Sequence, residues 1–188
     1  MVKTAVFVSG GGTTLQAILD AQGKVIHSAE VSLVISSNAD AYALKRAEKY
    51  GVKALVLKNE ADIQQALEEN GIELIVLAGY MRILSAEFTS RWSHRILNVH
   101  PSLIPSFCGK GMYGLHVHEA ALAKGVKVTG ATVHFVNEVP DGGEIVFQKA
   151  VEVQPDDTPE VLQRRVMEQA EWILLPRAIE KVAKEIKK

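Results

Sequence analysis

The run Ile72–Ala78 reads Ile-Glu-Leu-Ile-Val-Leu-Ala, almost unbroken in apolar side chains. A strand with one wet face alternates polar and apolar residues, so this one calls for cover on both faces, as inside a parallel sheet. Parallel neighbours need a long crossover, usually a helix, and the sequence supplies such stretches. Val2–Val8 is a β-branched run that passes through Ser9-Gly-Gly-Gly-Thr-Thr into Leu15, Ile18 and Leu19 at helical spacing. Val31–Ile35 and Ala54–Leu57 are two more short apolar runs, separated by a helical stretch over Ala41–Tyr50 that stops at Gly51. Asn59 is placed to cap a helix carrying Ile63, Ala66 and Leu67, which Gly71 ends. The rhythm predicts a doubly wound, mostly parallel α/β sheet.

The second half continues with a short helix around Ser85–Trp92 and a strand at Arg95–Val99. Pro101–Gly114 reads as a loop and Leu115–Lys124 as a helix. Val126–Val136 and Glu144–Val153 read as strands around a turn at Asn137–Gly143, close enough for a hairpin or an antiparallel edge. In the tail, Thr158 suits an N-cap and Pro159 the first helical position. Leu162, Val166, Ile173 and Leu174 mark the apolar side, and Pro176 is expected to kink or divide this helix. With no repeat or linker, residues 1–188 are predicted to form one domain.

The 21 Lys+Arg against 22 Asp+Glu leave a net charge of −1, which gives no electrostatic footprint for nucleic acid or an anionic membrane. A local anion site stays open. The single cysteine, Cys108, excludes an intrachain disulfide framework and a multi-cysteine zinc site, and fits a reducing compartment. The N-terminus lacks the features of a secretory signal, and no apolar run approaches the ~20 residues of a membrane span. A cytoplasmic enzyme or small-molecule binder is the expectation.

The Ser9–Thr14 loop lies between the first strand and first helix, where doubly wound sheets bind phosphates on free N–H groups. It fails the dinucleotide fingerprint, because the third glycine would fall at Leu15, and it lacks the Gly-Lys-Ser/Thr of a Walker loop. A mononucleotide or sugar phosphate is one reading; a glycine turn for tight strand–helix packing is the other. Asn98 and His100 alternate at a strand end that Pro101 terminates, so they share a face at the C-terminal edge. An Asn can donate to a developing oxyanion and a His can move a proton, which suits acyl-type transfer; loop-anchoring hydrogen bonds explain the pair equally well. Asp141, in Asp-Gly-Gly, would favour an imidazolium if it met the His, although plain turn chemistry accounts for it first. Ser102 and Cys108 have no evident base, so direct transfer between two bound substrates is expected. His116 and His118 read as unremarkable helix residues, His134 as a packed strand residue, and Trp92 and Trp172 as packing groups.

In order along the chain, SGGGTTLQAI (9–18), LAGYMRIL (77–84), ILNVHPSLIPSF (96–107), GLHVHEAAL (114–122), GATVHFV (130–136) and PDGG (140–143) resemble the glycinamide ribonucleotide formyltransferases. These are folate-dependent enzymes of purine biosynthesis, and the resemblance runs nearly end to end. It implies transfer of a formyl group from 10-formyltetrahydrofolate, as cosubstrate, to the amine of glycinamide ribonucleotide, through a tetrahedral intermediate and without a metal. By position, Asn98, His100 and Asp141 match the family's catalytic trio. Gly12, Thr13 and Thr14 match its phosphate loop, with Thr14 where many relatives carry Asn. Glu171 matches a glutamate that holds the ribonucleotide, and Lys110 either reaches its phosphate or is simply solvated. Met81, Arg82, Ile83 and Leu84 match the wall of the folate pocket; Asn137, Glu138, Val139, Pro140 and Asp141 match the turn that closes over the pterin. A length of 188 residues leaves no room for the extra domain of tRNA-formylating or hydrolase relatives, and leaves a homodimer open.

Overall fold

The computed structural model describes residues 1–188. Strands β1 (Val2–Val8), β2 (Ala29–Ser36), β3 (Lys53–Val56), β4 (Leu74–Leu77), β5 (Ile96–His100), β6 (Val128–Phe135) and β7 (Ile145–Glu152) form one sheet in the order β3-β2-β1-β4-β5-β6-β7. The first five are parallel; β6 and β7 are antiparallel, which resolves the hairpin-or-edge alternative as both.

The two-residue period of the strands splits the core. Val2, Val6 and Val8 of β1, with Leu74 and Val76 of β4, belong to a core of 29 buried residues. Helices α1 (Thr13–Ala21), α2 (Ala43–Lys49), α6 (Pro159–Val166) and α7 (Trp172–Ile186) contribute to that core. Ala5, Phe7, Ile75 and Leu77 belong to a second, of 12 residues, to which α3 (Glu60–Glu69) and α4 (Ala86–Arg91) contribute. Because β4 feeds both cores, its sequence is apolar at every position. Helix α5 (Leu115–Lys124) packs beside α6. The caps follow the chemistry expected of them. Asn59 Oδ1 accepts the Ala61 N–H at 2.8 Å, Ser85 Oγ that of Phe88 at 3.1 Å, and Thr158 Oγ1 that of Val161 at 3.3 Å. Each contributes about 1 kcal/mol to its helix.

Pro176 does not divide the last helix: it lies within α7. The irregularity falls just upstream, where Met167–Glu171 form a π-helical turn between α6 and α7. A proline removes one N–H and crowds the carbonyl four residues earlier, here Trp172. That carbonyl begins a helix whose hydrogen-bond register has already shifted, and the rod continues. π-turns of this kind often sit at functional sites, and this one lines a cavity with Met167 and Glu171.

Topology places the crevice. From β1 the chain winds outward to β2 and β3, then returns through α3 to β4 on the other side of β1. The connections leaving β1 and β4 therefore diverge, and a cleft opens at the C-terminal ends of these strands. No helix is long and apolar enough to cross a membrane.

Candidate active site

The glycine loop leaves β1 at that cleft. All three of its carbonyls are engaged: Gly10 accepts from the Ala43 N–H at 3.1 Å, Gly11 from Arg46 Nε at 2.8 Å and Gly12 from the Gln16 N–H at 2.9 Å. The N–H groups of Gly10, Gly11 and Gly12 have no partner. They join the free amides at the start of α1 in a cluster of donors at a helix N-terminus. Gly12 has φ +72°, and a Cβ there would lie 2.6 Å from that of Ala43. Gly12 thus meets the tight-packing reading of this loop, and the unpartnered amides leave the anion-binding reading open. Ser9 Oγ lies 2.7 Å from Ser37 Oγ and accepts the Met81 N–H at 2.9 Å, linking the loops that follow β1, β2 and β4.

At the end of β5, Asn98 pairs with His134 of β6, and His100 with Thr132. Asn98 Nδ2 lies 3.2 Å from His134 Nε2, while His134 Nδ1 donates to the Phe135 carbonyl at 2.8 Å. One Asn98 N–H is thereby committed to the ring and the other is left to the cleft. His100 is buried; Nε2 donates to the Phe107 carbonyl at 2.8 Å and Nδ1 lies 3.5 Å from Asp141 Oδ2. Both ring nitrogens face acceptor oxygens.

Asp141 has φ +55° in the turn between β6 and β7. Gly143 lets that turn approach β6, since a Cβ there would lie 1.8 Å from the Phe135 carbonyl oxygen. The Asp141 carboxylate accepts the Gly109 N–H at 2.9 Å and reaches His134 Nε2 at 3.5 Å through its other oxygen. Burial alone would raise this carboxyl; the contacts with His134, the Gly109 N–H and His100 outweigh it and hold the group below the usual carboxylate range.

Asn98, His100 and Asp141 open on one cavity of about 710 Å³. Of the residues singled out in the sequence, it brings together Thr14, Met81, Arg82, Ile83, Asn98, His100, Lys110, Pro140, Asp141 and Glu171. Gly12, Thr13, Asn137, Glu138 and Val139 do not line it. Leu84 does not either: it is buried in the second core with Phe88 and Ile63. The apolar wall falls instead to Tyr80, Met81 and Ile83. The Met81 N–H is taken by Ser9, while those of Arg82 and Ile83 have no partner. Glu171, in the π-turn, is buried, and desolvation raises its carboxyl to about 7.

Two histidines read as bland turn out otherwise. His134 is buried but touches Asn98 and Asp141, so it belongs to the site. Its cross-strand position opposite Asn98 is a register fact with no local sequence signal. His118 is fully buried, lines the cavity, and has no partner on either ring nitrogen. Burial, with His100 nearby, pushes it down to about 4, so the ring is neutral near pH 7. His116 instead meets Glu119 at 2.9 Å on the exposed side of α5. Ser102 Oγ donates to the Ser106 carbonyl and Cys108 Sγ to that of Pro105, and burial raises the Cys108 thiol. Neither is an activated nucleophile.

Fold and site together define a doubly wound α/β protein with an amide–imidazole–carboxylate cluster and an amide-lined glycine loop at its switch point. Residues 2–179 match the formyl transferase model, and the chain belongs to that family. Phosphoribosylglycinamide formyltransferase of Haemophilus influenzae is 41% identical over 188 residues, covering 95% of this chain and 86% of that protein. The trifunctional purine biosynthetic protein adenosine-3 of Gallus gallus is 44% identical over 97% of this chain. The chain spans only 18% of that larger protein. The crystal structure of glycinamide ribonucleotide transformylase 1 from Symbiobacterium toebii superposes with a TM-score of 0.90 at 41% identity, covering 98% of this chain and 89% of that one.

Proposed function

We propose that the protein transfers the formyl group of 10-formyltetrahydrofolate to the primary amine of glycinamide ribonucleotide. The family's reaction is formyl transfer from formyltetrahydrofolate. The observation that carries the choice of acceptor is the partnerless amide loop Gly10–Thr14, whose last residue, Thr14, lines the same cavity as Asn98, His100 and Asp141. One end suits a phosphate monoester and the other an acyl transfer.

In this reading the amine attacks the formyl carbon and the carbonyl oxygen becomes an oxyanion. The free Asn98 N–H donates to it, with His134 fixing the amide's orientation. The attacking nitrogen gives up one proton and the departing folate nitrogen takes one up; His100, held between Phe107 and Asp141, relays it from one to the other, directly or through a water. Gly12, Thr13 and Thr14 hold the phosphate through backbone N–H groups and hydroxyls, and Lys110 adds a charge at the cavity wall. Glu171 accepts or donates at the ribose. Met81, Arg82 and Ile83 face the pterin, and the Asn137–Asp141 turn closes over it. Leu84 contributes from behind, through the core. A cytoplasmic site of action accords with the single unpaired thiol of Cys108.

The test is deformylation of 10-formyltetrahydrofolate with and without glycinamide ribonucleotide. Turnover that requires the ribonucleotide is expected; release of formate without it would overturn the reading. His100→Ala is expected to lower kcat by about 10²–10³-fold while both ligands still bind. Near-normal kcat in that variant removes His100 from the mechanism.

A further inference from the structure

A loop of three consecutive glycines has no side chains to define it and many accessible conformations. We propose that Arg46, on α2, is the positioning residue that fixes this loop in its anion-binding form. The proposal rests on the reading of Gly10–Thr14 as the phosphate site.

Peptide planarity makes the argument. In a trans peptide the C=O and the following N–H point in opposite directions. Where a carbonyl is pinned inward, the next N–H must face outward. Ala43 N–H holds the Gly10 carbonyl, which turns the Gly11 N–H out. Arg46 Nε holds the Gly11 carbonyl at 2.8 Å, which turns the Gly12 N–H out. A flip of that second peptide would aim a carbonyl oxygen at a bound anion.

The guanidinium is itself immobilised. Its Nη1 donates to Gln16 Oε1 at 3.0 Å, and its plane lies over the Tyr42 ring, 5.1 Å from the centroid. Gln16 Nε2 in turn donates to Asp20 at 3.0 Å and to Tyr50 Oη at 2.8 Å. The fork thus grips α1 on both sides of its first residue, at Gly11 and at Gln16. A lysine ammonium has no second arm for this geometry. Lys45, one residue earlier, also lies over Tyr42 at 5.8 Å but makes no hydrogen bond to the loop, and serves as the control.

Steady-state kinetics of Arg46→Ala, Arg46→Lys and Lys45→Ala test the proposal, with inorganic phosphate as a competitive probe. Arg46→Ala should raise the KM for glycinamide ribonucleotide and the inhibition constant of phosphate together, by about tenfold. Its kcat and its KM for the folate should stay within about twofold. Arg46→Lys should fall between, and Lys45→Ala should match the unaltered protein. Unchanged ribonucleotide and phosphate constants in Arg46→Ala overturn the proposal. So does a proportional loss in kcat and both KM values, which signals general damage. If Arg46→Ala does not fold, Arg46→Lys decides on the same criteria. If the unaltered protein formylates no ribonucleotide, the functional reading fails. Calorimetric titration with inorganic phosphate then judges Arg46 alone: equal binding by the variant and the unaltered protein refutes it, and weaker binding by the variant supports it.

Discussion

His134 shows how much a single register position decides. Its Nδ1–H is fixed on the Phe135 carbonyl, so its Nε2 is left as the acceptor that faces the Asn98 amide, with an Asp141 oxygen 3.5 Å away. Replacing it by Phe keeps the ring's bulk and removes the acceptor, freeing the Asn98 amide to rotate. The expected result is a kcat lowered by about tenfold or more with both KM values nearly unchanged, measured in the deformylation assay. Asn98 and His100 were legible in the sequence because strand period and the Pro101 stop are local. His134 was not, because its relation to Asn98 exists only once β6 pairs with β5. Leu84 failed for a related reason. A matched segment says which residues lie near a pocket, not which of them turn inward to the core.

Among the elements, the last helical rod joins stability to the site. Glu180 on α7 accepts the N–H groups of His27 and Ser28, each at 2.8 Å, and the Ser28 hydroxyl at 3.0 Å. Burial would raise its carboxyl, but these bonds, with Lys184, push it down to about 2. A depressed acid stabilises the fold above its unfolded value and loses that effect as pH falls through the folded one. Glu180→Gln should therefore lower stability by about 2 kcal/mol near pH 7 and by little near pH 2, as read by urea unfolding. Glu171 has the opposite sign. Its carboxyl, raised to about 7, binds a proton more tightly in the fold than in the unfolded chain. Its contribution thus turns unfavourable as pH climbs from about 4.3 to about 7, by about 3 kcal/mol across that window. Glu171→Gln should remove this slope; an identical pH–stability profile in the variant would show that the carboxyl is not desolvated. The helices and their caps at Asn59 and Thr158 could be read from local chemistry. The π-turn that carries Glu171 could not, because Pro176 announces a disturbance without saying where the chain will accommodate it.

For the molecule as a whole, the parallel order was legible from continuous apolar runs such as that of β4, while the antiparallel pairing of β5 with β6 depends on long-range contacts. With a net charge of −1, the protein has no overall positive charge to draw in anionic ligands. The kcat/KM for glycinamide ribonucleotide is expected to change by less than about threefold between about 0.05 and about 0.5 M salt; a steep decline would reveal long-range steering. Recognition of an anion then depends on the glycine loop, whose acceptors are all turned into the scaffold. The glycine backbone of such a rim offers hydrogen atoms only. A phosphate, rich in lone pairs, complements it, whereas a free hydroxyl arrives with a proton that none of the loop's backbone can receive. In the function proposed above, the loop discriminates by the protonation chemistry of the group it meets, separating phosphorylated sugars from their unphosphorylated counterparts before any contact with the ring.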